Sequence, residues 1–191
     1  MLASITPLGE RGRGSTWALT VAAFAVGATG AAAAAGGLAG FAGRLVVPAG
    51  VSEHARLVAL VAALAGALVL DALGAAPGPR RQVNERWLDE YRGWVYGVGY
   101  GVQLGVGLTT VVSSAAMYVA LLAAFLAGPR DGALVFGCFG ALRGLTPLAA
   151  AHVRTTGQLM AVHRTLASWR GRVRWGASAL LVAIAVVGVL A

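Results

Sequence analysis

The sequence predicts an all-α integral membrane protein with about five transmembrane helices, six in the alternative count, one or two of them broken or re-entrant. Three observations predict it. The 191 residues are 58% hydrophobic and 12% charged, against about 25% charged in a soluble domain, and the mean hydropathy is +0.76. Uncharged runs long enough to cross a bilayer, about 18 residues or more, fill most of the chain. The short segments between them collect arginine. Residues 1–191 therefore read as one polytopic membrane domain.

The first run covers about 16–47, interrupted by Arg44 and flanked by Arg11 and Arg13. Small residues at 31–36 could serve signal-peptide cleavage, but the stretch exceeds the 7–15 residues of a signal-peptide core, so it is kept as a span. Its glycines leave room for a break. The second run, about 51–73, follows Pro48 and Gly50, with Ser52 as N-cap. The third, about 94–127, lies within 36 consecutive residues (93–128) without a charge. GPRDG (128–132) reads as a tight turn before a fourth run at 133–151, and a fifth occupies 175–190. Two connecting segments carry helical apolar stripes and read as helices on the membrane surface. One covers about 80–92, with Val83, Trp87, Tyr91 and Trp94 on its stripe and Arg81–Glu85 and Arg86–Glu90 as i,i+4 pairs. The other covers about 155–173, with Leu159, Val162, Leu166, Trp169 and Val173.

All fifteen basic residues are arginine and the net charge is +8. Such a balance can serve nucleic acid. In a chain this apolar it holds spans against the anionic cytoplasmic leaflet, so the expected partner is the lipid bilayer and not nucleic acid. With five spans, one side holds Arg11, Arg13, Arg80, Arg81, Arg86, Arg92, Arg154, Arg164, Arg170, Arg172 and Arg174, and the other only Arg44, Arg56 and Arg130. That bias places the N-terminus in the cytoplasm and the C-terminus outside. The arginine, alanine and glycine excess suggests a GC-rich genome, and a bacterial plasma (inner) membrane is the expected location.

The same bias requires 93–128 to cross an odd number of times. As one helix it would be about 54 Å long, against a hydrocarbon core of roughly 30 Å. A broken helix fits better, with the break at Gly105, Gly107, Thr109 and Thr110. Ahead of it, Gly93, Gly97, Gly101 and Gly105 repeat every fourth residue. Small residues at that spacing let helices approach closely, here within the bundle or in a homodimer.

Arg143, within its span, costs at least about 2.5–3.5 kcal/mol to insert and so requires a partner or a wet cavity. Two readings stand. One is an ion pair with Asp71 that locks two helices. The other is an anion or substrate site of Arg143, Thr109, Thr110, Ser113, Ser114 and Asp71. Gly144 and Pro147 predict a kink beside it. Gln103 and Tyr118 read as hydrogen-bonded contacts between helices. No catalytic constellation, metal-ligand spacing or cofactor motif is found, so no enzyme, metal or cofactor is expected. Cys138, the one cysteine, reads as a buried apolar thiol.

Three stretches carry a resemblance: GVGYGVQLGVGLTTVVSSAAMY (97–118), FGALRGLTPL (139–148) and GASALLVAIAVVGVL (176–190). A glycine-patterned broken span, a turn, a span with Gly and Pro, a basic loop and a last apolar span resemble the second half of CcdA-type proteins. These are the DsbD transmembrane family within the LysE-like transporter group. The resemblance implies inverted three-span repeats and electron transfer through one cysteine per repeat. Thr109-Thr110 stand where the family has Pro-Cys, the first run has no cysteine, and Cys138 matches neither site. A thiol relay is therefore not expected, and what remains is a small transporter-like scaffold with its polar site around Arg143. The alternatives are a non-catalytic subunit or assembly factor gripping a partner membrane protein, and a redox protein of the cytochrome c biogenesis type acting through Cys138 or a bound cofactor.

Overall fold

The structure, a computed structural model, describes residues 5–75, 77–78, 86–107, 115–169 and 176. Every regular element among them is helical: α1 (Pro7–Gly12), α2 (Trp17–Val46), α3 (Glu53–Ala72), α4 (Trp87–Glu90), α5 (Gly93–Val106), α6 (Ala116–Ala127) and α7 (Pro129–Gly144), which continues into a 3-10 turn (Thr146–Ala150). A further stretch is helical over 156–169. Three of these, α2, α3 and Pro129–Ala150, are long and apolar enough to cross a bilayer. The predicted fifth run, 175–190, lies outside the described residues apart from Gly176.

The first run forms one unbroken helix of 30 residues, about 45 Å long, so the break allowed for there does not occur. Its glycines sit in regular helical backbone and serve packing, and the first proline after the start of α2 is Pro48, just past its end. Two helices lie along it. The glycines of α5 climb α2 in the same direction: a methyl group on Gly97 would strike the Thr20 carbonyl, on Gly101 that of Phe24, and on Gly105 that of Ala28. α7 descends the other way, with Gly132 against Gly36, Gly140 against Ala28 and Ala32, and Gly144 against Ala25. These are backbone-on-backbone contacts of the kind small residues permit.

The third run is broken where glycine density predicts it. α5 ends at Val106, and Gly107 takes a left-handed conformation (φ 72°) that an L side chain adopts only at a cost. α6 resumes at Ala116 and ends with Phe125 against Gly43. At 14 and 12 residues, the two pieces are about 21 and 18 Å long. Each is too short for a crossing alone, and end to end they follow α2 upward.

GPRDG is not a separate turn. Gly128 (φ 91°) makes the reversal alone, Pro129 occupies the first helical position and Asp131 the first turn. Proline's fixed φ suits that position and the acid suits the helix dipole, so the fourth run begins at 129 rather than 133. At its other end the predicted kink is the change from α-helix to 3-10 turn between Gly144 and Thr146.

Ser52 caps α3 as predicted, its hydroxyl accepting from Ala55 N at 3.2 Å. α3 lies mainly against α6 and buries only Leu64, Ala67 and Asp71. Cys138 is exposed, contrary to the buried reading. The buried stripe of α7 is Gly132, Phe136, Gly140 and Gly144, and at about 100° per residue position 138 points away from it.

Of the predicted 80–92 surface helix, the described part is α4, seated by Trp87, whose ring stacks on Tyr100 at 6.1 Å. Val83 and the Arg81–Glu85 pair lie outside the described residues. The 156–169 helix opens with a reciprocal cap: Gln158 Oε1 accepts from Arg154 N (2.8 Å) and Thr155 N (3.2 Å), and Thr155 Oγ1 from Gln158 N (3.3 Å). Of its predicted stripe, Leu159 and Val162 are half-buried, Leu166 and Trp169 are exposed, and Val173 lies outside the described residues.

Candidate functional site

Among the described residues, two polar constellations interrupt the apolar bundle. The first lies where α1 meets the beginnings of α2 and α5. Glu10 on α1 has no exposed surface. Its carboxylate accepts from Arg13 Nη2 at 2.7 Å, from Thr20 Oγ1 on α2 at 2.9 Å, and from the Tyr96 hydroxyl on α5. The Arg13 guanidinium also lies 5.6 Å over the Tyr96 ring. Burial alone lowers the pKa of Arg13, but its bonds to Glu10 and Tyr96 outweigh that and the net shift is upward. A buried ion is tolerated only when its oxygens are filled, and here three elements fill them.

Sequence reasoning did not single out Glu10. One signal was present: it is the only acid in the first 52 residues, three positions before Arg13. Its distant partners, Thr20 and Tyr96, follow from the α2–α5 packing and from no local motif.

The second constellation is the break between α5 and α6. Asp71, near the end of α3 and 9% exposed, reaches across to α6. Its Oδ1 accepts from Ala115 N, the residue before α6, at 2.6 Å. The cap that α6 lacks in its own sequence is thus supplied by another helix. Thr109, Thr110, Ser113 and Ser114 lie outside the described residues.

The Asp71–Arg143 pair is not formed. Arg143 stands in the last turn of α7, half-buried, with its guanidinium 5.7 Å over the Phe139 ring one turn back. The physical reason is competition. Backbone N–H groups at the start of α6 are close, fixed donors for Asp71, while α3 lies mainly against α6 rather than α7. The structure therefore brings Asp71 to the start of α6 and does not pair it with Arg143.

Gly93, Gly97, Gly101 and Gly105 all face α2. A side chain at Gly93 would meet Ser15 and Thr20. Tyr118 donates from its hydroxyl to the Pro77 carbonyl, tying α6 to the segment after α3. No family model, curated protein or solved structure matches the chain.

Proposed function

We propose that the chain is a small polytopic membrane protein of transporter type, with its polar site at the break between α5 and α6. One observation carries this reading: a nine-tenths-buried carboxylate, Asp71, meets the N-terminus of a half-helix inside an otherwise apolar bundle. Discontinuous helices with ends inside the bundle are the usual construction of a solute or coupling-ion site, because they place unfilled backbone dipoles where lipid would otherwise forbid them. An intramembrane ionisable residue is expensive to keep and marks a functional position by default. Thr109, Thr110, Ser113 and Ser114 belong to the connecting segment by sequence and supply hydroxyls. Asp71 is the acidic member, held at the start of α6 by the Ala115 N–H. Arg143 is a second polar position outside this centre. Five crossings with a cytoplasmic N-terminus complete the reading.

The test uses purified protein in detergent and in proteoliposomes. A panel of small organic ions and cations is screened by thermal shift, and the stabilising solutes are then followed as uptake. The expected result is a solute that stabilises the wild type, is taken up, and does neither with Asp71→Asn. Stoichiometric co-purification of a second membrane protein with no solute response would overturn it.

That outcome would favour a second reading, a non-catalytic subunit or assembly factor. It rests on the open apolar surface of α3, where Val58, Val69 and Leu73 are all exposed. A redox relay through an internal dithiol is not built into a chain with one cysteine.

A further inference from the structure

We propose that the cleft between the beginnings of α2 and α5 binds the phosphodiester headgroup of an anionic phospholipid; the proposal rests on the membrane reading above. The cleft measures about 620 Å³. Its polar lining includes Arg13, Arg92, Ser15 and Thr16. α2 and α5 run in the same direction, so both present their first-turn N–H groups there, and neither N-cap residue, Thr16 or Arg92, makes a side-chain capping bond. Guanidinium groups with helix N-termini are the donor set that phosphate oxygens take. Arg13 is already oriented by Glu10 and Tyr96. Arg92 is exposed.

Two further features separate a lipid from free phosphate. The lining also includes open apolar and aromatic side chains: Leu19 is 54% exposed, Tyr91 49% and Trp94 50%. A headgroup held by the arginines would send its acyl chains out along Leu19 and Trp94. Tryptophan and tyrosine collect at the level of the headgroups, and arginine on the cytoplasmic side, so this end of the bundle is where such a ligand is met. Glu90 also lines the cleft. A carboxylate there disfavours a dianionic phosphomonoester and suits the single charge of a phosphodiester.

The experiment is native mass spectrometry of the full chain with phosphatidylglycerol, phosphatidylcholine or inorganic phosphate, beside titration into nanodiscs of the two lipids. One equivalent of phosphatidylglycerol should be retained at least about tenfold more tightly than phosphatidylcholine. Arg92→Gln should remove about that preference, the scale of one charge-assisted contact, while its melting temperature stays near that of the wild type. Arg56→Gln, on α3, should change nothing. Equal retention of the two lipids, an equal loss in Arg56→Gln, or displacement by inorganic phosphate at the same concentration would overturn the proposal. Release of the chain from membranes by alkaline carbonate would overturn the membrane reading and this site together, whereas retention with equal lipid binding removes the site alone.

Discussion

At the scale of single residues, the fold depends on positions that tolerate no change beside others that tolerate much. Glu10 is the first kind. Replacing it with alanine leaves the Tyr96 hydroxyl, the Thr20 hydroxyl and the Arg13 guanidinium without their shared acceptor. The Arg13 side chain is 25% exposed and Thr20 keeps a bond to the Thr16 carbonyl, so the main loss is at the buried Tyr96 hydroxyl, about 1–3 kcal/mol for a buried donor left unfilled. Glu10→Ala should therefore melt well below the wild type in detergent, and Tyr96→Phe, which loses one bond to a charged acceptor, should cost about 1.5–3 kcal/mol. A Glu10→Ala melting curve that overlays the wild type would contradict the network. The glycines give the complementary comparison. A methyl group on Gly43 collides with the Phe125 carbonyl and one on Gly101 with Phe24, while nothing lies within 4 Å of one on Gly30 or Gly66. Gly43→Ala and Gly101→Ala should destabilise the bundle. Gly30→Ala and Gly66→Ala should leave it unchanged or stabilise it by about 0.5–1 kcal/mol through helix propensity. Thermal unfolding of the four variants checks the sign at each position.

At the scale of elements, α6 is a 12-residue helix whose start is completed by another helix. Asp71→Ala leaves the Ala115 N–H unfilled inside the bundle, and loss of an N-cap costs about 0.5–2 kcal/mol. Amide hydrogen exchange should quicken over 115–119 and stay unchanged in α5. Uniform quickening across α5 and α6 would mean that the two halves open as one unit. The 156–169 helix offers a second measurement. Gln158→Ala removes two acceptor contacts from its reciprocal cap and should quicken exchange over 154–159, with a local cost of about 1 kcal/mol. These elements also show how far the sequence could be read. The α5–α6 break was legible because 36 uncharged residues exceed a bilayer and glycine marks where helix regularity ends. The Ser52 cap was legible because its bond is local. The continuity of α2 was not, since glycine in a helix can mean a break or a packing contact, and only the neighbouring helix decides which. GPRDG misled for a related reason: proline and aspartate serve turns and helix first turns alike. Asp71 and Arg143 looked like partners because opposite charges in apolar runs seek each other, but the donor Asp71 found is a backbone N–H, which every residue but proline carries and no composition reveals.

At the scale of the whole molecule, the order of the helices along α2 makes a claim about topology that arginine counting makes independently. α5 and α6 both rise with α2, and α7 descends, bringing Gly144 back beside Ala25. Residues just after α7 are thereby returned to the end of the bundle where α1 and Arg11 lie, while Ser52 and Gly128 belong to the other end. Among the described residues, Arg11, Arg13, Arg86, Arg92 and Arg154 belong to the first end and Arg44, Arg56 and Arg130 to the other, the division that the positive-inside rule would read, on the proposed topology, as cytoplasmic and outside. A hairpin in 93–128 would undo both arguments at once, by placing the 152–174 segment with its five arginines outside. Three single cysteines in a Cys138→Ala background decide the matter: Arg11→Cys, Ser52→Cys and Thr156→Cys, all at exposed positions. With a membrane-impermeant maleimide on intact cells, Ser52→Cys should label at once, and Arg11→Cys and Thr156→Cys only after permeabilisation. Labelling of Thr156→Cys from outside, with Arg11→Cys protected, would show an odd number of crossings between them and break the link between the α2-parallel course of α5–α6 and a single passage through the bilayer.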